Sequence, residues 1–271
     1  WGDEMAGPAV KLTAEELPGP ESAAGRPLLI AHGLFGSGRN WSTLARKFAA
    51  ERPVSTIDMR NHGASPWADV MGYEEMGAAL LASAKDRHAE PVAVLGHSMG
   101  GKAAMAAALT KPEAVAALIV ADIAPVPYQH SHASFVDAMR SVDLNAISRR
   151  SQADPMLAEA IPEAPLRAFI LQNLVIEDGR ASWRLNLDVL ASEMPKLLDW
   201  PAELSTRRYD GPTLFLHGGA SDYVSEAAHS SIRATFPNAE RQSLPGAGHW
   251  LHAEQPAAVS EAGAEWLRRM D

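Results

Sequence analysis

Three glycine-bearing motifs hold the residues able to do covalent chemistry. Gly96-His97-Ser98-Met99-Gly100 follows the apolar run Pro91–Leu95 (PVAVL) and precedes a helical stretch that opens at Lys102. A serine between glycines at a strand–turn–helix junction sits on a sharp turn that presents its hydroxyl, the setting of an activated nucleophile. His32-Gly33-Leu34-Phe35-Gly36-Ser37 ends the run Pro27–Ala31 (PLLIA). A backbone N–H there, paired with that of Met99, would make an oxyanion hole, and Leu34, directly after His-Gly, is the expected donor. Pro245-Gly246-Ala247-Gly248-His249-Trp250 lies near the C-terminus, where His249 would accept the proton of Ser98; His252 is a nearby competitor.

Two acids compete for the task of orienting that imidazole. Asp122 ends the run Ala117–Ala121 (ALIVA), and Asp222 follows the run Pro212–Leu216 (PTLFL). Either strand end can bring a carboxylate to the imidazole Nδ1–H. Spacing alone favours Asp222; the acid left over would be a turn or helix-cap aspartate.

A phosphate-binding reading also fits part of the pattern. Gly96–Lys102 reads G-x-x-x-x-G-K, and Asp122 would serve as the magnesium-binding acid of a nucleotide hydrolase. Ala103 stands where Ser or Thr must bind that metal, and the His-Gly and Gly-His motifs would be left idle. His130 and His132 form an H-x-H pair without acidic companions, so no metal is expected.

The elements that must position these residues follow from hydrophobic patterning. Five apolar runs, the four above and Val54–Met59, alternate with helical stretches at Trp41–Glu51, Tyr73–His88 and Lys102–Lys111. Continuous apolar strands between helices predict a parallel sheet buried on both faces. A strand at Glu240–Leu244 and a helix at Pro256–Met270 close the chain, and Val10–Leu12 is an expected edge strand. Between Ala121 and Pro212 the alternation stops, with helical patterns, many prolines and no clear strand. Long structureless loops are rare in compact domains, so residues 127–205 are expected to be a helical insertion. Ligands of open α/β sheets bind beyond the carboxyl ends of the strands, which makes that insertion a cap over a core of residues 8–126 and 206–271.

Composition narrows the function classes. Net charge is −9, from 24 Lys and Arg against 33 Asp and Glu, a balance that repels nucleic acid and anionic membranes. The absence of cysteine removes disulfides, Cys-ligated zinc and thiol nucleophiles, and fits a cytoplasmic setting. No apolar run approaches the ~18 residues of a membrane span, and Trp1–Gly7 has neither the basic nor the apolar stretch of a secretory signal.

The words HGLFGSGRNW (32–41), DMRNHGASP (58–66), GHSMGGK (96–102), DIAPVPY (122–128), WRLNLDVL (183–190) and GAGHWLHAEQP (246–256) run in order along nearly the whole chain. Together they resemble the small bacterial esterases and thioesterases of the α/β-hydrolase superfamily, and are similar also to a mitochondrial α/β-hydrolase-domain protein of animals. The resemblance implies an α/β fold, a mostly parallel doubly wound sheet with a helical cap between two strands; a monomer or homodimer is expected. It implies hydrolysis of small-molecule carboxylic esters, and of acyl thioesters, through an acyl-enzyme without a cofactor. It also implies Asp122, the Asp of the D-I-A-P word, as the acid, against the preference from spacing. A C–C bond hydrolase or perhydrolase on the same triad is the alternative. Phe35, Trp183 and Asn186 are the expected acyl-pocket residues, and Arg60, Asn61 and His62 are expected to brace their loop. Arg39 and the pairs Arg149–Arg150 and Arg207–Arg208 are expected at the rim for a charged thioester.

Overall fold

The computed structural model describes residues 10–88 and 91–271, so Trp1–Gly7 lies outside the described residues. Nine strands are described: β1 (Ala14–Leu17), β2 (Leu28–Ala31), β3 (Val54–Ile57), β4 (Val92–His97), β5 (Val115–Ala121), β6 (Leu174–Glu177), β7 (Arg180–Trp183), β8 (Thr213–Gly218) and β9 (Ala239–Leu244). Seven form one sheet in the order β1-β3-β2-β4-β5-β8-β9. Only β1 runs antiparallel, against β3, and the other neighbours are parallel. The expected edge strand falls a few residues late, at Ala14–Leu17 instead of Val10–Leu12. It carries two exposed glutamates, a polar outer-edge pattern that apolar periodicity does not detect.

The helices are α1 (Ser42–Phe48), α2 (Tyr73–Arg87), α3 (Met99–Thr110), α4 (Ala133–Ser141), α5 (Asp154–Leu157), α6 (Ala164–Leu171), α7 (Leu187–Leu198), α8 (Ala202–Ser205), α9 (Ala228–Thr235), α10 (Leu251–Glu254) and α11 (Pro256–Met270). Side chains alternate across a strand, and here both sets are apolar. Leu29, Val94, Leu118 and Phe215 pack with α2, α3 and the segment after β5. Leu28, Ile30, Leu95, Ile119 and Leu216 pack with Trp41, Phe48 and Trp266 from α1, α11 and the turn before α1. That is the doubly wound arrangement the sequence predicts. Because β2 neighbours both β3 and β4, its carboxyl end lies at the switch in strand order, where a crevice opens.

The segment between the adjacent strands β5 and β8 is mostly helical, α4 to α8. The expectation that it contains no strand is corrected: β6 and β7 pair as an antiparallel hairpin, Leu174 opposite Trp183. Asp178 and Gly179 turn the hairpin with φ of 52° and 74°. Two successive positive φ angles make the tight hairpin turn that Asp-Gly favours.

Candidate active site

Ser98 sits between β4 and α3 with φ of 51° and ψ of −118°, a region non-glycine residues rarely occupy. The turn closes because Gly96 and Gly100, two positions to either side, have no side chains. A Cβ on Gly100 would stand 2.4 Å from the carbonyl oxygens of Ala31 and His32, and one on Gly96 would stand 2.2 Å from that of Gly100. β2 and β4 pair with Ala31 opposite Gly96, so the turns that follow them lie side by side. A Cβ on Gly33 would come within 3.2 Å of Ser98 Cβ.

The His-Gly turn is held by buried imidazoles. Met59 N–H donates to His32 Nε2 (2.9 Å), and His32 Nδ1–H donates to Gly33 O (2.7 Å). Phe35 N–H donates to His62 Nε2 (3.2 Å), and His62 Nδ1–H donates to Arg60 O (2.9 Å). Each ring must therefore be neutral with its proton on Nδ1. Burial holds His32 at about 4 and His62 at about 3, well below the ordinary 6.5. Gly36 N–H is bonded to Gly33 O (3.0 Å). Among the described residues no protein acceptor is bonded to the N–H of Leu34 or Met99, which leaves both free beside Ser98.

His249, in the loop between β9 and α10, bridges the two remaining groups. Its Nε2 lies 3.1 Å from Ser98 Oγ and its Nδ1 2.7 Å from Asp122 Oδ2. Asp122 follows β5 with φ of 50° and is fully buried. Gly218 N–H donates to its Oδ1 (2.9 Å) and Ser221 Oγ–H to its Oδ2 (2.5 Å). Asp222 is exposed and lies 3.5 Å from His130 Nε2, away from the imidazole. His97 Nε2–H donates to His249 O (2.8 Å). Burial lowers His97 well below 6.5 and brings His132 and His252 to about 4, so these neighbours of His249 are neutral.

Beside Ser98 is a pit of about 30 Å³ walled by Leu34, Phe35, Phe135, Phe169 and Trp250. Phe35, Phe135, Phe169 and Trp250 continue into a cleft of about 1250 Å³, where Arg39, Arg150 and Arg184 also stand. Phe35 is thus where the sequence expects it. Trp183 and Asn186 are not: neither lines the pit or the cleft. Trp183 closes the β6–β7 hairpin, and Asn186 Nδ2–H donates to Asn61 Oδ1 (3.0 Å), bracing the same loop as Arg60, Asn61 and His62. Of the expected rim arginines, Arg149, Arg207 and Arg208 also stand off the cleft, Arg208 pairing with Asp210. Ser221, Phe135 and Phe169 were not singled out by the sequence, because each lies in a helix or loop whose patterning is ordinary, and His132 was weighed only as half of an H-x-H pair.

Residues 28–262 match the model of the alpha/beta hydrolase family. The chain is 42% identical over 249 residues to the sn-1-specific diacylglycerol lipase ABHD11 of Mus musculus, covering 89% of this chain and 80% of that protein. It is 36% identical to Esterase YbfF of Escherichia coli, over 89% of this chain and 92% of the relative. A marine microorganism esterase of known structure superposes with a TM-score of 0.89 at 37% identity, covering 95% of this chain and 99% of the other.

Proposed function

The chain belongs to the alpha/beta hydrolase family, and on that footing we propose that it hydrolyses carboxylic esters through an acyl-enzyme on Ser98. The observation that carries this is the bridge made by His249, 3.1 Å from Ser98 Oγ and 2.7 Å from Asp122. His249 Nε2 takes the Ser98 proton as Oγ attacks the acyl carbon, and the Asp122 carboxylate stabilises the imidazolium that forms. The carbonyl oxygen, now an anion, is held by the N–H groups of Leu34 and Met99. When the tetrahedral intermediate collapses, the leaving alkoxide takes the proton from His249. Water then gives its proton to His249 and attacks the acyl-enzyme, and the acid departs as Ser98 regains its hydrogen.

Residues 127–205 act as a cap in this scheme, since Phe135, Leu166 and Phe169 wall the pit that contains Ser98. An apolar wall suits an acyl chain. The test is turnover of nitrophenyl esters by the wild type and Ser98→Ala, with mass spectrometry of a fluorophosphonate adduct. A label on Ser98 and loss of roughly 10⁶-fold in kcat are expected; Ser98→Ala retaining a hundredth of wild-type turnover refutes the assignment.

Thioester hydrolysis is a second reading, favoured by Arg39, Arg150 and Arg184 on the cleft. Guanidinium groups there would hold a phosphorylated leaving group. It requires acyl-CoA to outcompete the same acyl group on a phosphate-free thiol in kcat/KM, and that advantage to vanish in Arg39→Glu/Arg150→Glu.

A further inference from the structure

Tyr223 lies flat on the imidazole of His249, ring centroids 3.7 Å apart and planes inclined by 15°. It lines neither the pit nor the cleft, and the ring it meets is the imidazole. Its backbone is clamped from both sides. Tyr128 Oη–H donates to Tyr223 O (2.6 Å) while accepting from Ala124 N–H (2.9 Å), two residues after Asp122. Tyr223 N–H donates to Ser221 Oγ (3.3 Å), and that hydroxyl in turn donates to Asp122. Tyr128 is itself capped by Lys102 Nζ, 4.8 Å over its ring, which is tied to Asp199 O (2.8 Å) at the end of α7. The stack is therefore built from the ends of β5 and β8 together with α3 and α7, and does not hang on a loose loop.

An aromatic face carries negative potential, and it is most favourable to a ring that becomes positive. The imidazole becomes positive at the moment Ser98 gives up its proton. The other groups facing it are the Asp122 carboxylate, the Ser98 hydroxyl, the edge of Trp250 (5.4 Å, 72°) and His97 (4.9 Å, 40°). His97, His132 and His252 are kept neutral by burial and add no charge. Asp122 and the Tyr223 face are thus the two groups that favour the imidazolium, one in the ring plane and one across it. A flat neighbour at 3.7 Å also blocks rotation of the imidazole, which would carry Nδ1 off Asp122 and Nε2 off Ser98.

We infer that Tyr223 is a positioning residue for ester hydrolysis, stacking on His249 to hold its orientation and to stabilise its protonated form in the transition state. This rests on the role of Ser98 and His249 proposed above. In the test, Tyr223→Leu keeps bulk and burial but removes the π face, and Tyr223→Phe keeps the face and removes the hydroxyl. With a nitrophenyl ester, Tyr223→Leu should lose threefold to thirtyfold in kcat, the span of a cation–π contact, with KM and melting temperature unchanged. Tyr223→Phe should restore kcat to within about threefold of wild type. A Tyr223→Leu enzyme with wild-type kcat overturns the inference, as does a Phe variant as slow as the Leu variant, which would shift the role to the hydroxyl. Loss confined to KM also overturns it, because the ring would then be a substrate contact. Ser98→Ala and His249→Ala run beside them: if these retain activity the triad itself is wrong, whereas if they are dead and Tyr223→Leu is not, only the stacking role fails.

Discussion

Replacing Asp122 by Asn separates the two acids by chemistry and leaves the backbone alone. Asp122 has φ of 50°, and Asn is among the non-glycine residues that best tolerate a positive φ, so the turn after β5 should stay. Gly218 N–H needs an acceptor at the Oδ1 position, which fixes the Asn oxygen there and turns its NH₂ toward His249 Nδ1 and Ser221. An NH₂ facing Nδ1 forces the proton to Nε2. The imidazole then presents a donor to Ser98, 3.1 Å away, and can no longer accept its proton. In serine proteases the equivalent wrong tautomer costs about 10⁴ in kcat, which is about 5.4 kcal/mol of transition-state stabilisation. The assay is kcat on a nitrophenyl ester with a melting curve of the same preparation. Asp122→Asn should lose about 10⁴ with its Tm moved by only a few degrees. Asp222→Asn, on an exposed side chain paired with His130, should stay within about tenfold of wild type. Equal losses in the two variants, or an active Asp122→Asn, would refute the assignment.

Stability should fall with acidity. His32 and His62 titrate at about 4 and about 3 in the fold against 6.5 in the open chain. Below about pH 6.5 the unfolded chain therefore binds protons that the folded chain refuses, at up to about 1.4 kcal/mol per pH unit for each histidine; a Tm that is flat from pH 7 to 4.5 contradicts this. Phe169→Ala should cost about tenfold in kcat/KM for long-chain esters and spare acetyl esters, because it removes an apolar wall of the cleft; equal losses on both would place Phe169 elsewhere in the reaction. Ser98→Gly should melt at or above Ser98→Ala, since glycine relaxes a φ of 51° that alanine must still bear; the opposite order would mean that the turn stores no strain.

The parallel sheet was legible because its strands are continuous apolar runs, and the three glycine motifs were legible because they end or follow those runs. The proposed nucleophile and base, Ser98 and His249, follow from chain order and turn chemistry. The acid does not. β5 and β8 are hydrogen-bonded neighbours, roughly 4.8 Å apart, so the segments that carry Asp122 and Asp222 leave adjacent strands at the same edge of the sheet. Which carboxylate turns inward depends on one φ angle and on the donors Gly218 N–H and Ser221 Oγ–H, neither of which has a periodicity to read. The family resemblance pointed to Asp122 where spacing did not. The β6–β7 hairpin did leave a signal, Asp178-Gly179 between two short mixed runs, but four-residue strands are too short to show alternation against a helical background. The Tyr223 stack left none, since an aromatic residue after a strand reads as core.

Four of the described non-glycine residues with positive φ are Phe35, Asn61, Ser98 and Asp122, and each follows a different parallel strand: β2, β3, β4 and β5. Such conformations cost of order 1–3 kcal/mol each and persist only where the surroundings over-determine them. Here the surroundings can be named. Phe35 is fixed by His62, Asn61 by Asn186 and Ala68, Ser98 by a turn that admits only glycine at positions 96 and 100, and Asp122 by Gly218 and Ser221. The fifth, Asp178, sits in an exposed hairpin turn of the insertion where Asp-Gly makes the angle cheap. Strain is thus concentrated at the carboxyl edge of the sheet, where a two-sided apolar core can bear it. The buried neutral histidines of that edge are part of the same support: they satisfy backbone N–H groups of the strained turns while leaving Leu34 and Met99 N–H unspent. A lysine or a carboxylate at His32 or His62 would bury a charge in the turns that follow β2 and β3. An apolar residue would leave Met59 or Phe35 N–H without a partner. A neutral imidazole avoids both, accepting from the backbone N–H while its own Nδ1–H finds a carbonyl.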